Sequence, residues 1–290
     1  MASTIYVFAN QKGGVGKTTT AVNIGAFLAW QNRRVLLIDL DAQGNATASV
    51  GVDRFTLAAS MYDVFMGGVT LREILAPTVL AQLMLAPSVS MLAGAEVELT
   101  SVPEREFILR NALAPLRGEF DHILIDCPPS LGILTVNALS SADFVIVPVQ
   151  CEYLALEGLA QLMQTISLVR ENLNPRLELF GLVMTMFDPR ARLGAQVIQE
   201  VRAHFPNEIF ETYIPRNVRV AEAPSFGEPL VKFDIHSRGA EAYEKLTNEF
   251  LMREAKRVLG SKYPEAMDEL AVHPLLPDTY HILPATPEAQ

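Results

Sequence analysis

The run Lys12-Gly13-Gly14-Val15-Gly16-Lys17-Thr18 has the residue types and spacing that grip a nucleoside triphosphate. Glycines let consecutive backbone N–H groups turn toward phosphate oxygens. Lys17 is spaced to reach the β- and γ-phosphates, and the Thr18 hydroxyl to ligate Mg²⁺. Thr19 follows as a donor to the α-phosphate. The expected ligands are ATP and Mg²⁺, held by Lys12, Gly13, Gly14, Val15, Gly16, Lys17, Thr18 and Thr19. The usual pattern places a glycine five residues before Gly16; Gln11 stands there instead, and a second lysine, Lys12, lies inside the loop. A dinucleotide site would want Gly-x-Gly-x-x-Gly and an acidic ribose binder, which the Gly16-Lys17-Thr18 run argues against.

Three carboxylates close apolar runs. Val35 to Ile38 ends in Asp39, with Asp41 two residues on, and Ile123 to Ile125 ends in Asp126. In a parallel sheet the carboxyl ends of the strands face the ligand crevice, so Asp126 is expected to order the Mg²⁺ shell with Asp39 as a secondary holder. Asp41, beyond the strand, is assigned to positioning or activating the attacking water, and the Gly132 backbone to sensing the γ-phosphate. A lone aspartate at a strand end is also a common turn former or helix cap.

These residues need a frame. Ile5 to Ala9 is an apolar run before the glycine loop, and Thr18 to Trp30 carries apolar residues at helical spacing. Further apolar runs at Phe144 to Val149 and Leu179 to Thr185 alternate with helical stretches at Leu154 to Glu171 and Gly194 to His204. Such alternation predicts an α/β chain of the P-loop NTPase type: a predominantly parallel central sheet with helices on both faces. A last helix is expected over Ala240 to Leu259, stopped by Gly260. The expected organisation is an ATPase domain over residues 1–260 and an acidic, Pro-rich tail over 261–290, with Leu275, Leu276 and Tyr280 able to dock locally.

Composition narrows the class. The chain has 290 residues and a net charge of -10, which argues against nucleic acid bound over the whole surface and leaves room for a local basic patch. Its two cysteines, Cys127 and Cys151, point to a reducing compartment rather than a disulfide framework. With no basic leader and no apolar stretch of about 18 residues, the expectation is a cytoplasmic protein.

The sequence resembles the deviant Walker A ATPases, specifically the ParA/Soj chromosome- and plasmid-partition proteins. The resemblance rests on Lys12 to Thr20, Val35 to Thr47, Ile125 to Ser130, Pro148 to Tyr153, Thr185 to Arg190, Ile214 to Arg219 and Ala221 to Phe226, and covers about residues 3–258. It implies an ATP-dependent homodimer in which Lys12 crosses to the partner's nucleotide. It implies non-specific binding of double-stranded DNA by Arg190 and Arg219, assisted by Arg192 and Arg216. Lys232, Arg253, Lys256 and Arg257 are placed to extend the patch. It further implies an adenine-side loop with Pro215 and Asn217, a ParB/Spo0J-like centromere-binding partner that stimulates hydrolysis, and a nucleoid location without a membrane.

Three other readings share the phosphate loop. A MinD-like membrane-associated positioning ATPase would end in a basic amphipathic helix, whereas residues 261–290 carry -4 of the net charge and five prolines. A nitrogenase-iron-protein-like ATPase would need paired cluster cysteines, which Cys127 and Cys151 do not supply. A metabolic synthetase would need a carboxylate-substrate pocket that the sequence does not display.

Overall fold

The computed structural model describes residues 3–152 and 155–262, with side chains at 155–157 and 258–262 left aside. The chain divides into two compact units, Met1–Glu249 and Phe250–Gln290. The expected tail lies, from residue 263 on, outside the described residues, as do Leu154 and the three apolar tail residues.

Seven strands form one sheet: β1 Thr4–Phe8, β2 Val35–Asp39, β3 Ala76–Pro77, β4 Leu83–Ala86, β5 His122–Asp126, β6 Phe144–Gln150 and β7 Glu178–Thr185. Their order is β3-β4-β2-β5-β1-β6-β7, and every pairing is parallel except β3 with β4. The helices are α1 Lys17–Trp30, α2 Asn45–Ser49, α3 Met61–Phe65, α4 Leu92–Glu98, α5 Ile108–Leu113, α6 Ile133–Ser141, α7 Ala155–Asn172, α8 Arg192–His204, α9 Val218–Glu222, α10 Leu230–Phe233 and α11 Arg238–Lys262. The expected α/β architecture is what forms.

The central strands are buried on both faces, which is why they read as continuous apolar runs. Ile5, Val7, Leu36, Ile38, Ile123 and Ile125 point to one face, where they pack with Leu109, Leu134, Leu162 and Val197 from α5 to α8. Tyr6 points to the other, in a ring cluster with Phe144 and Phe180. On that face a Cβ on Gly25 of α1 would come within 3.1 Å of Leu124 and 3.7 Å of Val35, so glycine brings α1 close to the sheet. The Thr20 hydroxyl lies 3.3 Å from the Tyr243 hydroxyl, joining α1 to α11.

Two elements depart from expectation. The β3–β4 edge was not anticipated, because Leu83–Ala86 is too short a run to tell strand from helix by periodicity. Helix α11 begins at Arg238 and passes through Gly260 to Lys262. A glycine inside a helix costs about 1 kcal/mol relative to alanine, too little to end a helix of this length.

Register does the functional work. Phe8 and Asp39 both lie opposite Asp126, so the loops leaving β1, β2 and β5 emerge side by side. From β5 the chain crosses β1 to reach β6, which makes the carboxyl end of β1 a topological switch point where ligands of open α/β sheets bind.

Candidate nucleotide and metal site

The loop from Ala9 to Gly16 leaves β1 at that switch point. Gly14 and Gly16 have φ of 73° and 87°, a left-handed backbone that glycine adopts without Cβ strain. The Asn10 amide donates to the Pro148 carbonyl at 2.8 Å, and its oxygen accepts from the Lys12 N–H at 3.0 Å. The Thr185 hydroxyl donates to the Val15 carbonyl at 2.8 Å, fastening the loop to the end of β7. The first backbone donor that α1 satisfies at its start is Thr20, to the Gly16 carbonyl at 2.9 Å. Among the described residues, no backbone N–H from Gly13 to Thr19 finds an acceptor. These orphan donors at a helix N-terminus form a cradle for phosphate oxygens.

Lys17 is 6% exposed and donates to the Lys12 carbonyl at 3.2 Å. Burial lowers its pKa, while the charges of Asp126, Cys127 and Asp41 pull it back up. Asp126 is fully buried, and neither of its carboxylate oxygens has a hydrogen-bond partner. Burial and the neighbouring Asp39 push its pKa well above the usual carboxylate range, against the opposing pull of the Thr18 hydroxyl and Lys17. An orphaned buried carboxylate beside a threonine hydroxyl and an empty row of N–H donors suits Mg²⁺, which takes one or two protein oxygens and completes its shell with phosphates and water. Thr18 and Asp126 would hold the ion, and the ion would neutralise charge on the β- and γ-phosphates. Next to it the Cys127 thiol is buried and its pKa is strongly raised.

Asp39 is already committed. It accepts from the Thr47 N–H at 2.8 Å and hydroxyl at 2.7 Å through one oxygen, and from the Asp41 N–H at 3.1 Å through the other. Burial nonetheless raises its pKa to about 6. Asp39 thus anchors the turn that carries Asp41 and α2. Asp41 accepts from the Gln43 N–H at 3.0 Å, the local turn that aspartate favours, and stays partly exposed at the mouth of the cradle. Gly132 caps α6 with an ordinary φ of -74°, and a Cβ there would meet only the flexible end of the Glu96 side chain.

The arginines fall on two loops that the backbone ties together and on the first turns of the helices that follow them, Arg192 in α8 and Arg219 in α9. The Phe187 N–H donates to the Ile214 carbonyl at 3.0 Å, and the Arg216 N–H to the Phe187 carbonyl at 3.2 Å. Arg190, Arg192, Arg216 and Arg219 are all exposed. Arg219 is paired with Glu222 at 3.1 Å and Asp234 at 3.3 Å. Pro215 bridges Phe187, two residues past Thr185, at the rim of the phosphate loop. Asn217 caps α9 by accepting from the Arg219 N–H at 2.8 Å.

Sequence reasoning missed Glu152. Its carboxylate lies 3.3 Å from Lys12 Nζ and 3.8 Å from Arg216, so one side chain bridges the phosphate loop and the arginine loop. No local pattern signals this, since Lys12 and Glu152 are 140 residues apart.

A family model described as an AAA domain matches residues 3–179. The chain is 50% identical over 253 residues to a chromosome partitioning protein ParA of Myxococcus xanthus, covering 87% of this chain and 89% of that one. It is 49% identical to the sporulation initiation inhibitor protein Soj of Bacillus subtilis, over 84% of this chain and 97% of that one. Among solved structures, a cobyrinic acid a,c-diamide synthase from Mycobacterium smegmatis with bound ADP and magnesium is 39% identical. It superposes with a TM-score of 0.76 over 91% of this chain and 97% of its own. A plasmid partition protein from Borrelia burgdorferi bound to AMPPNP is 26% identical, with a TM-score of 0.73 over 88% and 99% of the two chains.

Proposed function

Since the chain belongs to the ParA/Soj family of chromosome-partitioning ATPases, we propose that its ATP hydrolysis times a cycle of dimerisation and DNA binding. The enzyme is an ATPase that uses ATP and Mg²⁺. The orphan N–H row from Gly13 to Thr19 binds the phosphates, and Lys17 spreads its charge over the β- and γ-phosphates. Asp41 orients the attacking water, and Pro215 and Asn217 flank the adenine.

The observation that carries the switch is Glu152. Its bonds to Lys12 and Arg216 are half-exposed ion pairs, worth roughly 0 to 1 kcal/mol, so a stronger anion takes either cation away at little cost. In the proposed dimer Lys12 leaves Glu152 for the partner's nucleotide, where its charge stabilises the developing negative charge. Arg190 and Arg219, with Arg192 and Arg216, then bind the DNA backbone without reading sequence. A ParB/Spo0J-like centromere-binding protein stimulates hydrolysis and returns the dimer to monomers, and the protein resides on the nucleoid.

The test is retention on non-specific double-stranded DNA with ATP, with ADP and without nucleotide. Retention should require ATP and be lost in Arg219→Glu with hydrolysis preserved. Hydrolysis without DNA retention in any nucleotide state would overturn the DNA reading.

A further inference from the structure

At the opposite pole of the sheet from the phosphate loop lies a cleft of 320 Å³. Three turns build it, each feeding the start of a strand: the segment after α5 leading to β5, the end of α6 leading to β6, and the end of α7 leading to β7. Arg110, Arg117 and Arg176 line it, together with Ser140, Ser141 and Asn174, and no carboxylate is among the lining residues. In a chain of net charge -10 such a concentration of cations runs against the overall balance.

Two of these arginines are uncommitted. Arg110 lies 4.8 Å from the centre of the Phe107 ring, which orients its guanidinium without neutralising it. Neither Arg110 nor Arg176 forms an ion pair among the described residues. Arg117 is partly engaged, 3.9 Å from Asp143 and 3.5 Å from the Ser141 carbonyl.

The floor has been prepared as well. The end of α6 should repel an anion, because its last carbonyls carry the negative end of the helix dipole. Here the buried Asn174 amide donates to the carbonyls of Leu139 at 3.0 Å and Ala142 at 2.7 Å, and Arg117 faces that of Ser141. The repulsive groups are masked before any ligand arrives, and the free guanidiniums stand over them.

We propose that this cleft is a second anion site, distinct from the nucleotide site, which takes a small ligand of the phosphate class. Guanidinium forks match phosphate oxygens in pairs, and a concave site at the small end of the usual ligand-pocket range favours a compact anion over a duplex. Its occupant would tie together the turns that begin β5, β6 and β7.

Phosphorus NMR line broadening of inorganic phosphate, at constant ionic strength and without Mg²⁺, reads the site on the full chain. Lys17→Ala weakens the phosphate-loop contribution but leaves its backbone N–H row, so broadening that persists in that variant and is lost with the two cleft arginines supports the proposal. Adding Arg110→Gln and Arg176→Gln should weaken phosphate binding by roughly tenfold or more, with the melting temperature and, in the Lys17 background, ATP hydrolysis unchanged. A nucleoside monophosphate on the Lys17→Ala variant tells whether the free anion or a phosphate ester binds more tightly; tighter binding of either, lost with the two arginines, supports the site. Broadening abolished by Lys17→Ala, or unchanged in the arginine variants, overturns it. Loss of DNA retention in the arginine variants with phosphate binding intact also overturns it, and assigns these side chains to the DNA backbone.

Discussion

At Asp126 two carboxylate oxygens are sealed from water with no hydrogen-bond partner, a cost the ligand-free protein bears and a metal ion held there would relieve. Asp126→Asn should therefore leave the ligand-free melting temperature equal or higher while lowering Mg²⁺-dependent hydrolysis by on the order of 10²-fold. Unchanged hydrolysis at limiting Mg²⁺ would remove Asp126 from the site. Asp39 carries a related signature in pH. Its carboxyl rises from 3.8 to about 6 on folding, so between about pH 4 and about pH 6 the folded chain holds a proton that the unfolded chain has lost. The ligand-free protein thus loses stability as pH rises through that window, and Asp39→Asn should flatten this part of the profile, as measured by urea unfolding at several pH values. The raised Asp126 pKa adds that nucleotide with Mg²⁺ should stabilise the protein more at about pH 7.5 than at about pH 5.5.

At the scale of elements, α2 hangs from the end of β2 by Thr47. Its hydroxyl donates to Asp39 at 2.7 Å and accepts from the Ser88 N–H at 3.0 Å, tying the β2 and β4 loops together. Thr47→Val keeps the shape, strands the buried Ser88 N–H and leaves that Asp39 oxygen with the Thr47 N–H alone, so it should cost about 2 kcal/mol in urea unfolding; a loss near zero would mean the loops are held by packing alone. The glycine loop and the aspartates that close β2 and β5 were legible in the sequence, because each is marked by residues a few positions apart and a buried parallel strand needs an uninterrupted apolar run. Thr47 was not, since a threonine eight residues past Asp39 looks like any helix residue. Nor was Glu152, nor the pairing of the Phe187 and Pro215 loops, because sequence patterns record local geometry and these contacts are made by the fold. Strands β3 and β4, at one end of the sheet, were hidden because each is too short a run to show a period.

For the whole molecule, electrostatics sets the expected DNA behaviour. Retention should fall steeply with salt, and Arg219→Ala should reduce the slope of log affinity against log salt by roughly 1, measured by titration at several salt concentrations. An unchanged slope would place Arg219 away from the phosphates. Glu152→Gln frees Lys12 and Arg216 together and should raise retention in the ADP state; if it does not, the shared carboxylate is not a restraint on the switch.

Cys127 and Cys151 are both buried, and burial pushes the Cys151 thiol up to about 11 and the Cys127 thiol further. Since thiolates rather than thiols react, the two native cysteines should react only slowly with maleimides near neutral pH, as a labelling time course would show. A single cysteine placed on the surface can then carry a fluorophore with the two native cysteines left in place. Slow modification at Cys127 itself would time the transient opening of the strand end that holds Asp126.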